Sequence, residues 1–139
     1  MTGFSFFLNS GVISWKSIKQ PTVALSSTEA EYYALCNATQ EAIHLRFLLK
    51  ELGLEQKEPT VIFCDNQGAM NLSKNYITHS RTRHIDIKYH FIREHITNGD
   101  IQVKYCQTEH MIADIFTKSL GFNLFSKHRN SLGIKEIID

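Results

Sequence analysis

The sequence predicts an α/β domain in which one mixed sheet is flanked by helices. Two observations carry that reading. Short aromatic and β-branched runs of strand length alternate with long segments of helical period, and the connections between them are short. The composition, 42% hydrophobic and 21% charged over 139 residues, suits a single globular domain with a substantial core.

The runs GFSFFL (3–8) and GVISWK (11–16) read as a hairpin within residues 1–20, turned by Asn9-Ser10. Pro21 follows, where a missing backbone donor is tolerated. A long helix is expected over 28–52, with Ser26 three residues before Glu29 as in a capping box and Gly53 at its end. TVIFC (60–64) is a continuous apolar run suited to a strand buried on both faces. A short helix follows at about 67–73. A second clear helix spans 82–97, with Ile85, Tyr89, Ile92 and Ile96 on one stripe and Asn98-Gly99 closing it. Ile101, Val103 and Tyr105 alternate with Gln102 and Lys104, the pattern of a half-exposed strand over 101–106. Thr108 is placed to cap a helix at 110–119. These elements fill residues 60–120, and an amphipathic segment at 122–132 lies in a C-terminal extension of 121–139.

A net charge of +1 gives no global attraction to nucleic acid, so any such binding must come from a local patch. No apolar run approaches the roughly 20 residues needed to span a bilayer. The N-terminus has no pattern of a secretory signal. Cys36, Cys64 and Cys106 are odd in number, widely spaced and set among apolar residues, so they read as core residues of a reducing compartment. An intracellular protein, cytoplasmic or nuclear, is expected.

Three carboxylates stand out. Steps of three, four, seven and eleven from Glu31 reach Ala34, Leu35, Ala38 and Ala42, which aims Glu31 at the sheet. The same steps from Glu29 reach a more mixed face, and Glu29 is better explained as a cap. Asp65 ends the apolar strand, where open α/β sheets place their sites; taken alone, a cap or Asx turn is the favoured explanation of it. Asp114 follows the last strand, and alone it reads as a solvated helical residue. Hard divalent cations such as Mg²⁺ take carboxylate oxygens, and a helix, a strand end and a later helix can hold such a set at fixed spacing.

Several strings in order, GVISWKSIKQPTVALSSTEAEYYAL, FCDNQGAMNLSKN, THSRTRHIDIKYHFIRE and ADIFTKSL, resemble the ribonuclease H domain of Copia-type retrotransposon polyproteins. The resemblance extends to about Leu120. It implies a ribonuclease H-like fold and Mg²⁺-dependent hydrolysis of RNA paired to DNA. It also makes Glu31, Asp65 and Asp114 the second, third and fourth carboxylates of a site that binds two metal ions. The family's remaining ligand is an Asp on a first strand at the centre of the sheet. This sequence holds no acidic residue before Glu29, so a domain lacking that strand and impaired in catalysis is expected. Open sheet edges of this kind are templates for pairing, and self-association is expected through them.

Lys74, His79, Arg81, Arg83, His84 and Lys88 form a basic cluster suited to phosphate contacts. Asn66 and Gln67, beside Asp65, are candidate donors to an RNA–DNA hybrid. A solvated helix face paired with Asp86 and Glu94 explains the cluster equally well. Asp86 is a second choice for the fourth carboxylate, while His84, Asp86 and His90 do not share one tight helical face. His110 is a candidate aid to proton transfer near Asp114. Two functions remain: the metal-dependent nuclease, and a non-catalytic remnant acting through protein or nucleic-acid contacts.

Overall fold

A computed structural model of the protein describes residues 1–19, 27–74 and 83–135, with the side chains of all of these except 27–28, 72–74 and 83–85. The element order is β1 (Thr2–Leu8), β2 (Gly11–Ile18), α1 (Ser27–Glu51), β3 (Thr60–Cys64), α2 (Gln67–Lys74), α3 (Arg83–Thr97) and β4 (Ile101–Tyr105). Two 3-10 helices, Thr108–His110 and Ile112–Phe116, then lead to α4 (Phe122–Ser131). The α/β class expected from the sequence is what the structure has, and among the described residues four strands are shared between two small sheets. Among the described residues β1 pairs with β2 antiparallel, and β3 pairs with β4 in parallel. Ser26, Pro21, His79 and Arg81 lie outside the described residues.

The chain divides into two compact units, one of Met1–Val23 with Gln107–Asp139 and the other of Ala24–Cys106. In the first unit, Asn9 and Ser10 both take positive φ, 48° and 69°, the backbone of a two-residue type I′ turn whose twist matches that of the strands. A bulge at Phe6/Phe7 leaves Ile13 without a partner across the hairpin. Gly3 is where this hairpin meets the second 3-10 helix. A Cβ there would lie 2.5 Å from Thr117 Cγ2 and 3.2 Å from the Ala113 carbonyl oxygen, so only glycine lets the two backbones approach so closely. Ser17 Oγ donates to the Phe116 carbonyl at 2.7 Å across the same contact.

The helix expected over 110–119 is instead this pair of short 3-10 turns. Met111, at φ −77° and ψ 92°, interrupts the helical backbone between them. The Asp114 N–H reaches only three residues back, to the Met111 carbonyl at 3.1 Å. The Asp114 carbonyl in turn accepts from the N–H groups of Thr117 and Lys118, both at 3.1 Å, and from Thr117 Oγ1 at 3.3 Å. The turn that carries Asp114 is therefore held by its own backbone as well as by the hairpin. The Asn66 side chain, not that of a residue further upstream, starts α2 in the second unit: its Oδ1 accepts from the Ala69 N–H at 2.9 Å.

In that second unit α1 ends at Gly53, whose φ of 77° allows the Leu54 N–H to bond the Leu49 carbonyl at 2.7 Å and the Gly53 N–H to bond Lys50 at 3.0 Å. Gly99 closes α3 in the same way. His95 Nδ1 and Asp100 Oδ2, 2.8 Å apart, pin that corner to the start of β4. Arg46 on α1 fixes the connection to β3, donating to the carbonyls of Gln56 and Glu58 at 2.7 and 2.8 Å and to Thr60 Oγ1 at 3.1 Å. The core gathers Tyr32, Leu35, Cys36, Ala38, Thr39 and Ala42 of α1 with Ile62 and Cys64 of β3, Tyr89 and Ile92 of α3, and Ile101 and Val103 of β4. Tyr32 stacks on Tyr89 with centroids 6.1 Å apart.

Two sequence expectations shift here. Val61 and Phe63 are 37% and 57% exposed, so β3 is buried on one face only. An apolar run shows that a strand has a core side; what covers its other side is set by tertiary packing. The buried stripe of α1 takes in Leu35, Ala38 and Ala42 of the small-residue face and extends to Cys36 and to Tyr32, which packs onto α3. Glu31 sits at the edge of that stripe, partly buried.

Candidate functional site

Glu31, in the second turn of α1, and Asp65, directly after β3, are both partly buried in the second unit. Cys64 links them. Burial pushes its thiol up, a backbone hydrogen bond at Asn66 offsets part of the rise, and the Glu31 and Asp65 charges add to it. Both carboxylates therefore act on one buried sulfur atom. Because Asn66 caps α2, the simple explanation of Asp65 as that helix's cap falls away.

The strand-end position of Asp65 follows from its sequence. A β-branched and aromatic strand delivers the chain to a helix start, where Asn66 turns it and leaves Asp65 at the junction. Asn66 Oδ1 is engaged in the cap, which leaves its Nδ2 as the donor end, and Gln67 is exposed at the first turn of α2. Lys88 on α3 places its Nζ 3.8 Å from the centroid of the Tyr33 ring, a cation–π contact that joins α3 to α1. Its charge also partly offsets the burial that raises the Cys36 thiol. Lys74 and Arg83 lie at the last position of α2 and the first of α3, and their side chains are outside the description.

Asp114 belongs to the first unit and is buried, at 8% exposure. Lys118, one turn on, places Nζ 2.8 Å from Asp114 Oδ2. His128 of α4 is 1% exposed, and its Nε2 has no partner among the described residues. Burial pushes the His128 imidazole below its ordinary value, and the Asp114 carboxylate opposes that shift while Lys127 and His110 reinforce it. His110, exposed beside this group, lies 3.3 Å from Glu109 Oε1 and 3.3 Å from Lys127 Nζ.

Glu31 and Asp65 thus lie in one unit and both bear on the Cys64 thiol, and Asp114 is buried among basic groups in its own unit. Within either unit, among the described residues, no three His, Cys, Asp or Glu side chains are grouped closely enough to hold a metal ion by themselves. The donor chemistry suits a hard cation, since every candidate ligand is a carboxylate and the neighbouring Cys64 is held as the neutral thiol. Cys64, Lys118 and His128 are the participants that sequence reasoning missed. Lys118 was open to discovery, since it is four residues from Asp114 on a segment whose sequence predicts a helix. His128 carries no comparable signal in its polar surroundings.

Comparison with known proteins gives this arrangement a context. The chain is 44% identical over 133 residues, 96% of its length, to the retrovirus-related Pol polyprotein from transposon TNT 1-94 of Nicotiana tabacum. It is 40% identical over 97% of its length to the corresponding polyprotein from transposon RE1 of Arabidopsis thaliana. The chain is homologous to one segment of retrotransposon Pol polyproteins. This Pol-related segment spans about a tenth of those relatives, 10% and 9% respectively. A 44-residue stretch, 32% of the chain, is 64% identical to part of the secreted RxLR effector protein 161 of Plasmopara viticola and covers 31% of that protein. No family model and no solved structure matches the chain. Among the described residues no helix is long and apolar enough to cross a membrane.

Proposed function

We propose that this Pol-related segment is a ribonuclease H-type unit that hydrolyses the RNA strand of RNA–DNA hybrids with Mg²⁺. The observation that carries the reading is that Glu31 on α1 and Asp65 at the end of β3 are both partly buried in one unit, with both charges bearing on the Cys64 thiol. Glu31 and Asp65 would hold the cation, and the sequence resemblance assigns Asp114 to the same ligand set. Bound Mg²⁺ lowers the pKa of a coordinated water and neutralises charge on the phosphodiester. Asn66 Nδ2 and Gln67 would donate to the hybrid, and Lys74, Arg81, Arg83 and Lys88 would supply phosphate contacts.

The stretch supplies three of the four carboxylates the resemblance calls for, so its activity alone is expected to be weak. A labelled RNA–DNA hybrid incubated with the chain and Mg²⁺ or Mn²⁺ tests this. The expected result is slow, metal-dependent cleavage of the RNA strand that disappears in Glu31→Gln. Cleavage at the same rate in Glu31→Gln would overturn it.

A second reading is a non-catalytic module that binds nucleic acid or protein, including a second copy of itself. It draws support from the stretch shared with the secreted effector, a protein of a different kind from a Pol polyprotein. Hybrid binding without metal-dependent cleavage is the outcome that would favour it.

A further inference from the structure

We propose that Lys118 is a resident counter-cation for Asp114, which competes with a divalent metal for the Oδ2 oxygen and so lowers the affinity of this carboxylate for metal. The inference rests on the reading of Asp114 as a metal ligand. Asp114 is buried, and a buried carboxylate is costly unless a cation or donors meet it. Lys118 meets it at 2.8 Å, while its own side chain is 48% exposed.

That asymmetry is informative. The backbone that carries the carboxylate is fixed, because the Asp114 carbonyl accepts from Thr117 and Lys118 and the turn rests on the hairpin at Gly3. The ammonium sits on a flexible stem with open solvent beside it, and can leave without moving the backbone. A metal ion at the same oxygen would lie within a few ångströms of that ammonium, where like charges repel. Lys118 must therefore swing away, or weaken whatever binds. In the absence of metal it meets the Asp114 carboxylate at 2.8 Å.

The measurement is Mn²⁺ binding to the full chain, followed by the electron paramagnetic resonance signal of the free ion, with circular dichroism as a check of folding. Lys118→Gln should tighten binding on the order of three- to tenfold, the size expected of one partly exposed charge. Lys118→Arg keeps the charge and should bind as the parent chain does. Asp114→Asn should weaken binding, and Lys118→Gln should have no further effect in that background. If Asp114→Asn weakens binding but Lys118→Gln leaves it unchanged or weaker, the counter-cation idea fails and the ligand reading stands. If Asp114→Asn binds like the parent, both fail. Should Lys118→Gln not fold, Lys118→Met keeps the alkyl stem and takes the same readings.

Discussion

A single methyl group at Gly3 tests how Asp114 is held. The Cβ of Gly3→Ala would stand 2.5 Å from Thr117 Cγ2, 3.2 Å from the Ala113 carbonyl oxygen and 3.3 Å from Phe116 Cβ. The first contact can be relieved only by turning Thr117, whose Oγ1 donates to the Asp114 carbonyl at 3.3 Å. The second is to backbone and cannot be relieved by rotamer change. Overpacking of this kind costs about 1–3 kcal/mol, and the smaller backbone entropy of alanine returns about 0.5–1 kcal/mol. A net loss of roughly 1–2 kcal/mol is expected, which corresponds to a lowering of the melting temperature by roughly 3–8 °C for a chain of this size. Urea unfolding followed by circular dichroism measures it. Ser17→Ala, which removes the 2.7 Å bond to Phe116, should cost about 0.5–1.5 kcal/mol at the same contact. The two losses should not add, because they open one interface. A Gly3→Ala chain as stable as the parent would refute the close approach of the hairpin to the Asp114 turn.

Arg46→Ala removes three donated bonds to Gln56, Glu58 and Thr60, and should cost about 1–3 kcal/mol in urea unfolding. Arg46→Lys should recover little of it, since an ammonium cannot span the three acceptors as the guanidinium fork does. The buried His128 imidazole has a lowered pKa when folded, while in the unfolded chain it protonates near its ordinary value of 6.5. The unfolded state then binds more protons as the pH falls below about 6.5, so stability should drop with acid in that window. His128→Phe should flatten that acid slope in melting temperature measured between pH 7 and 5; an unchanged slope would remove His128 as its source.

Much of the fold could be read from local chemistry. Asn9-Ser10 sets the hairpin turn, Gly53 and Gly99 stop the two long helices, and alternation marks the core side of β4. Each of these is decided by residues within one turn of one another. What could not be read depends on contacts made at long range. The TVIFC run gives no sign that Val61 and Phe63 would stay exposed, and the spacing of residues 110–119 gives no sign that Gly3 would hold a 3-10 turn against the hairpin. For the site, helical phase placed Glu31 toward the core and strand-end position placed Asp65. That the Glu31 charge also bears on the Cys64 thiol emerges only from packing.

That sulfur atom offers the most direct measurement of whether Glu31 and Asp65 form one cation site. In a chain with Cys36 and Cys106 replaced by serine and the remaining cysteine carbon-labelled, the Cys64 Cβ resonance can be followed against pH with and without Mg²⁺. The account predicts that Mg²⁺ neutralises the two carboxylates and lowers the Cys64 pKa. Glu31→Gln and Asp65→Asn should each lower it without metal, and each should blunt the response to Mg²⁺. A Cys64 titration that neither Mg²⁺ nor either substitution moves would contradict the claim that these two residues share a site.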